Sequence, residues 1–153
     1  MKRKILSKLI EWKNKKNRKP LIVNGARQVG KTYILKEFGS HYYEKMAYVN
    51  CDKNKTLDKI FSQDYNISRI LLSLSAILHV NIEPENTLII FDEIQENPTV
   101  LNSLKYFCED ASQYHVAVAG SLLGISLHRD TSFPVGKVDM IKMYPMTFDE
   151  FLM

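Results

Sequence analysis

Residues Gly25-Ala26-Arg27-Gln28-Val29-Gly30-Lys31-Thr32 fit the spacing GxxxxGK[ST], which sets a lysine and a hydroxyl directly after a glycine-bounded turn. Phosphate oxygens are wrapped well by such a turn, because successive backbone N–H groups converge on them and a side chain at the bend would block the approach. Gly25 and Gly30 supply the bare positions. A helix opening after the turn adds the positive end of its dipole. In this arrangement the Lys31 ammonium sits between the β- and γ-phosphates of a nucleotide, and the Thr32 hydroxyl holds Mg²⁺, a cation that prefers oxygen ligands. The expected nucleotide contacts are Gly25, Ala26, Arg27, Gln28, Val29, Gly30, Lys31, Thr32 and the neighbouring Tyr33. A glycine turn that only capped a helix would not explain the Lys-Thr pair. At ordinary residue frequencies the pattern arises by chance in roughly one chain of this length in a few hundred.

A second set of polar residues follows the apolar run Leu88-Ile89-Ile90-Phe91, which delivers Asp92 and Glu93 to its end. The pair looks like a Walker B motif, at the strand edge where open α/β sheets bind ligands. Asp92 would hold the Mg²⁺ shell, and Glu93 would orient and deprotonate the water that attacks the γ-phosphate. Alone the pair is weak evidence, since acidic residues also favour the first turn of a helix. Behind a complete phosphate loop it gains weight. Gly120-Ser121 follows another apolar run and would reach the same edge. Ser121 is a candidate contact to the γ-phosphate or the attacking water, and a Ser capping the turn at Gly120 fits equally well. His115 and His128 have no partners at ligand spacing and are expected to be structural or exposed.

The elements that must position these groups alternate strand and helix, as in an α/β domain with a mostly parallel sheet. Strands are expected at 21–24, 46–50, 87–91, 115–119 and 137–144. Helices are expected over 32–38, stopped by Gly39, over 57–61, over 67–80 and from Pro98 onward. Ile70, Leu71, Leu74, Ile77 and Leu78 recur at helical spacing and are expected in the core. A polar loop through 128–132 precedes the fifth strand, and no internal repeat or low-complexity segment is evident.

The 153 residues are 45% hydrophobic and 25% charged, the profile of one globular domain large enough to fold without disulfide or metal. Cys51 and Cys108 lie far apart with no CxxC spacing, which argues against a zinc site or a disulfide framework and for a reducing cytoplasm. The longest near-apolar stretch, Leu71 to Val80, is too short for the roughly 20 residues that span a bilayer. Residues 1–20 carry nine Lys/Arg and one acidic residue, so the net charge of +4 divides into +8 there and −4 in the remainder. Ile5, Leu6, Leu9, Ile10 and Trp12 follow a helical spacing interrupted by Lys8 and Glu11, unlike a secretory signal. Such a basic helix binds nucleic acid or anionic lipid, or simply docks with its lysines in water. The last is the plainer reading.

With these motifs in order, the chain from Trp12 to Leu152 resembles the N-terminal ATPase domain of prokaryotic AAA-type proteins that carry a C-terminal domain of unknown function. The resemblance is carried by EWKNKKNRKPLIVNGARQVGKT, TLIIFDEIQ, SLKYFCED, AGSLLG, FPVGKV and YPMTFDEF. It implies a P-loop NTPase three-layer αβα sandwich with a five-stranded sheet in the order 5-1-4-3-2, and ATP with Mg²⁺ as ligands. It further implies that Ser121 occupies the sensor-1 position and that Gln95 belongs to a DEIQ signature. Arginine fingers in such ATPases come from a neighbouring subunit, and neither Arg129 nor Lys137 is assigned that role here. Relatives continue into a helical lid and a further domain, sometimes compared to nucleases. The expected organisation is therefore a basic helical segment, 1–19, and an ATPase core, 20–153, without lid or C-terminal domain. Thr147-Phe148-Asp149-Glu150 fits a capping box that opens a helix just before Met153, and slow turnover by this core alone is expected on that account.

The function expected is Mg²⁺-dependent ATP hydrolysis by the motor or switch part of a larger system, with a homo-oligomer, a downstream lid or DNA as partners. A P-loop small-molecule kinase and a nucleotide-dependent interaction module with negligible turnover are the alternatives. Phosphate transferred to an acceptor, released free, or not released would separate the three.

Overall fold

The computed structural model describes residues 2–25, 30–121 and 136–143. In chain order the elements are α1 (Lys2–Lys13), β1 (Leu21–Gly25), α2 (Lys31–Tyr42), β2 (Lys45–Asn50), α3 (Lys55–Gln63), α4 (Ile67–Leu78), β3 (Thr87–Asp92), a one-turn 3₁₀ helix (Ile94–Glu96), α5 (Pro98–Asp110), β4 (His115–Gly120) and β5 (Asp139–Met143). The five strands form one sheet in the order β2-β3-β4-β1-β5 with every neighbouring pair parallel. This is the expected order 5-1-4-3-2 seen from the other edge, and the fold is the P-loop NTPase αβα sandwich.

Alternation along each strand builds the two cores. Ile22, Ile89, Phe91, Val116 and Val118 pack under α3, α4 and α5 against Phe61, Ile70, Leu74 and Leu104. Leu21, Val23, Leu88, Ile90, Ala117 and Ala119 face the other way, toward α1 and α2, against Leu9, Trp12, Leu35 and Phe38. β3 and β4 are buried at every residue, as central strands covered on both faces must be. Each fully buried Leu, Ile or Phe contributes about 1.5–3 kcal/mol, and these strands hold the site rigidly at their ends.

Several helices begin where an asparagine meets their free N–H groups. Asn54 accepts from Leu57 N, Asn66 from Arg69 N and Asn97 from Val100 N. α1 docks through Ile5, Leu9 and Trp12, and the Trp12 indole N–H donates to Lys19 O at 2.7 Å. Its apolar face is thereby used for packing, with Lys4 and Lys8 left exposed on the other side.

Two expectations need correction. Gly39 does not stop the helix that follows β1, because α2 continues to Tyr42. A Cβ at Gly39 would collide with the Met46 side chain, so glycine serves close approach of α2 to β2 rather than termination. Ile77, expected in the core, is 44% exposed near the end of α4. Helix α4 ends one residue later at Leu78, where His79 caps it in the left-handed region with a φ of 55°. The expected loop at 128–132, His128, Arg129 and the capping box at 147–150 lie outside the described residues.

Candidate nucleotide-binding site

The C-terminal ends of β1, β3 and β4 meet at one edge of the sheet, carrying Gly25, Asp92 and Gly120. The N-terminus of α2 faces the same edge. Gly30 precedes it with φ 86°, a conformation that costs an L-residue about 1–2 kcal/mol, and its carbonyl accepts the Ile34 N–H at 3.0 Å. The Lys31 ammonium donates to Gly25 O at 2.7 Å, closing the two ends of the loop against each other. Ala26, Arg27, Gln28 and Val29 lie outside the described residues.

Asp92 is the centre of the arrangement and is 5% exposed. Its Oδ2 accepts the Thr32 hydroxyl at 2.7 Å and the Tyr48 phenol at 2.6 Å, while its Oδ1 accepts the Glu93 N–H at 2.9 Å. Its carbonyl accepts the Cys51 N–H at 2.8 Å. Burial, with Asp92, Asp58 and Glu93 adding negative field, pushes the Cys51 thiol up to about 12 and keeps it protonated. Burial likewise raises the Tyr48 phenol, followed by its hydrogen bond to Asp92, so it stays a donor.

Glu93 leaves the strand with φ 54°, in the left-handed region, where a non-glycine residue stores about 1–3 kcal/mol. The weaker reading, an acidic residue in a helical first turn, does not describe it: Glu93 precedes the 3₁₀ helix as its cap residue. Its Oε1 accepts from Gln95 Nε2 at 2.6 Å, and Gln95 Oε1 in turn accepts the Ser121 N–H at 3.1 Å. Ser121 therefore reaches the site through its backbone as well as its position.

These residues line a cavity of about 450 Å³ that takes in Lys31, Thr32, Asp92, Glu93, Gln95 and Ser121, with Tyr33 half-exposed at its side. That size suits a nucleotide-scale ligand. A larger cavity of about 590 Å³ lies between α4 and the end of α5. Its lining brings no lysine, hydroxyl and carboxylate together, and convergence of chemistry rather than volume selects the site.

A cation at this edge would meet hard oxygen donors. Thr32 Oγ1 and Asp92 Oδ2 are side by side, and no cluster of three or more His, Cys, Asp or Glu forms among the described residues. One or two protein oxygens, completed by water and phosphate, is the manner in which Mg²⁺ binds, so the residues present fit it. Lys137 pairs instead with Glu109 at 3.3 Å. Sequence reasoning missed Tyr48 altogether and identified Gln95 only through resemblance. Tyr48 sits in β2 without motif, and the β2–β3 register pairing Tyr48 with Ile90 is what carries it to Asp92.

The sequence pattern of the AAA domain family matches residues 17–152. The chain belongs to that family. No curated protein matches it. Among solved structures, the AAA domain is similar to a Walker-type ATPase of Pyrococcus abyssi, with a TM-score of 0.56 and 16% identity over 97% of this chain and 53% of that one. It is similar to the Aeropyrum pernix ORC1 protein, whose structure was solved in complex with DNA, with a TM-score of 0.58 and 12% identity over 96% and 44%. A third likeness is to Drosophila ORC bound to AT-rich DNA and Cdc6, with a TM-score of 0.53 and 14% identity over 97% and 57%. The chain spans about half the length of these structures, and at such identities the likeness is one of fold. The family is one of nucleotide-binding P-loop ATPases. No helix among the described residues is long and apolar enough to cross a membrane.

Proposed function

We propose that this AAA domain binds ATP with Mg²⁺ and hydrolyses it to ADP and phosphate. The observation that carries the reading is the contact of the Thr32 hydroxyl with Asp92 at 2.7 Å, directly beside Lys31 and Glu93. The loop from Gly25 to Thr32 cradles the phosphates, Lys31 exchanges its Gly25 carbonyl for phosphate oxygens, and Tyr33 borders the bound nucleotide. Thr32 and Asp92 would hold Mg²⁺, which neutralises charge on the phosphates. Glu93 accepts a proton from water as the water oxygen bonds to the γ-phosphorus and the bond to the bridging oxygen of ADP breaks. Ser121 borders the same space and contacts the γ-phosphate or that water.

The core serves as motor or switch of a larger, cytoplasmic ATPase of the prokaryotic type that carries a lid and a C-terminal domain. The match of residues 17–152 to the AAA domain family supports the ATPase part of this reading. Cys51 and Cys108, both free, support a reducing compartment. DNA is the partner that exposed Lys4, Lys8 and Lys16 on and after α1 would suit, and the likeness to DNA-bound ORC structures supports it. The test is calorimetry with ATP and ADP in Mg²⁺, alongside free-phosphate release. Micromolar binding with phosphate release is expected, and absence of nucleotide binding would overturn the reading.

A further inference from the structure

We propose, building on the ATPase reading above, that Gln95 is a positioning residue that fixes the Glu93 carboxylate by tying it to the backbone at the end of β4. A primary amide has a donor end and an acceptor end, and Gln95 uses both. Nε2 donates to Glu93 Oε1 at 2.6 Å, and Oε1 accepts the Ser121 N–H at 3.1 Å. A glutamate on a flexible stem samples several rotamers when unrestrained, and a general base works only in the few that face its water. The amide bond selects among them.

The support for Gln95 is itself rigid. It lies within the 3₁₀ turn in which Glu96 N donates to Glu93 O at 3.0 Å, and its neighbour Ile94 is fully buried. Opposite it, Gly120 leaves the space that the amide occupies, since a Cβ there would collide with Gln95 Oε1 and with Ile94. Two strand ends, β3 through Glu93 and β4 through Ser121, are thus joined by one side chain.

Gln95→Met provides the test, because methionine keeps the length and volume but removes both hydrogen bonds. Steady-state phosphate release, ATP and ADP calorimetry and Ser121 amide hydrogen exchange are measured on parent and variant. Expected are a kcat at least tenfold lower, KM and nucleotide affinity within twofold, and Ser121 amide exchange at least tenfold faster. Parent-like kcat in a variant whose Ser121 exchange has risen would overturn positioning. Unchanged Ser121 exchange would show that the bridge does not exist in solution, with the same result. A variant that loses nucleotide affinity together with kcat would assign Gln95 a general structural role and also overturn it. A parent that binds nucleotide without releasing phosphate overturns it too, since no water then needs orienting. Failure of the parent to bind nucleotide would instead remove the ATPase reading on which the proposal stands.

Discussion

The phenol of Tyr48 and the carboxylate of Asp92, 44 residues apart in sequence, meet at 2.6 Å where the ends of β2 and β3 lie side by side. The Lys36 ammonium covers the same phenol ring from α2, 4.0 Å from its centre. Asp92 is thereby held from three directions: the loop helix, the edge strand and its own following residue.

Tyr48→Phe should cost about 1–3 kcal/mol of stability, because a buried carboxylate loses one donor while the ring's packing is kept. Urea unfolding measures this, and a parallel titration should show weaker Mg²⁺-dependent nucleotide binding. An unchanged midpoint together with unchanged Mg²⁺ dependence would show that Asp92 is organised by Thr32 and the Glu93 N–H without Tyr48.

Lys31→Ala should lower affinity for ATP and ADP at least a hundredfold, equivalent to about 2.7 kcal/mol. In the proposed reading this lysine is the ammonium that meets the phosphates, and in the structure it donates to Gly25 O. Calorimetry reading parent-like affinity would remove the lysine from the site.

Glu93→Gln and Asp92→Asn should separate. The first keeps ATP binding and lowers turnover by about 10²–10⁴-fold, the usual contribution of a general base. The second weakens Mg²⁺-dependent binding as well, because Asp92 Oδ2 faces Thr32. Equal losses of binding in both variants would contradict the division of roles.

A pH-dependent stability is expected at the opposite end of β4. His115 is 3% exposed, its Nδ1 lies 2.6 Å from the Tyr43 hydroxyl, and Trp12 packs against its ring. Burial, reinforced by Arg18 and Lys13, lowers its pKa to about 3. Between about pH 6.5 and 3 the unfolded chain takes up a proton that the folded chain refuses, so stability falls with falling pH, by at most about 1.4 kcal/mol per unit. Above pH 7 the group contributes no slope. His115→Gln should flatten the stability profile between pH 6.5 and 4 relative to the parent, and superimposable slopes in urea unfolding would refute the assignment.

Local sequence determined the parts of this protein whose physics is local. Gly30 directly before Lys31-Thr32 marks the start of the helix that follows β1, and four apolar residues before Asp92-Glu93 make a buried strand that ends in carboxylates. Strand and helix alternation determined the parallel sheet for the same reason, since burial follows periodicity. Element ends were legible within about two residues where a cap marked them. They were not at Gly39, where composition signals a stop but the helix runs on to Tyr42 and the glycine instead gives room to the Met46 side chain.

Tertiary structure alone decided the rest of the site. Tyr48 reaches Asp92 because β2 pairs with β3 in one register, and a shift by one residue would turn the phenol to the other face of the sheet. Gln95 reaches Ser121 because β4 lies beside β3 and Gly120 leaves room between them. Hydrogen bonds spanning 26 to 60 residues depend on strand order, register and the volume of third residues. Those quantities follow from burying the whole core at once, and no short window of sequence contains them.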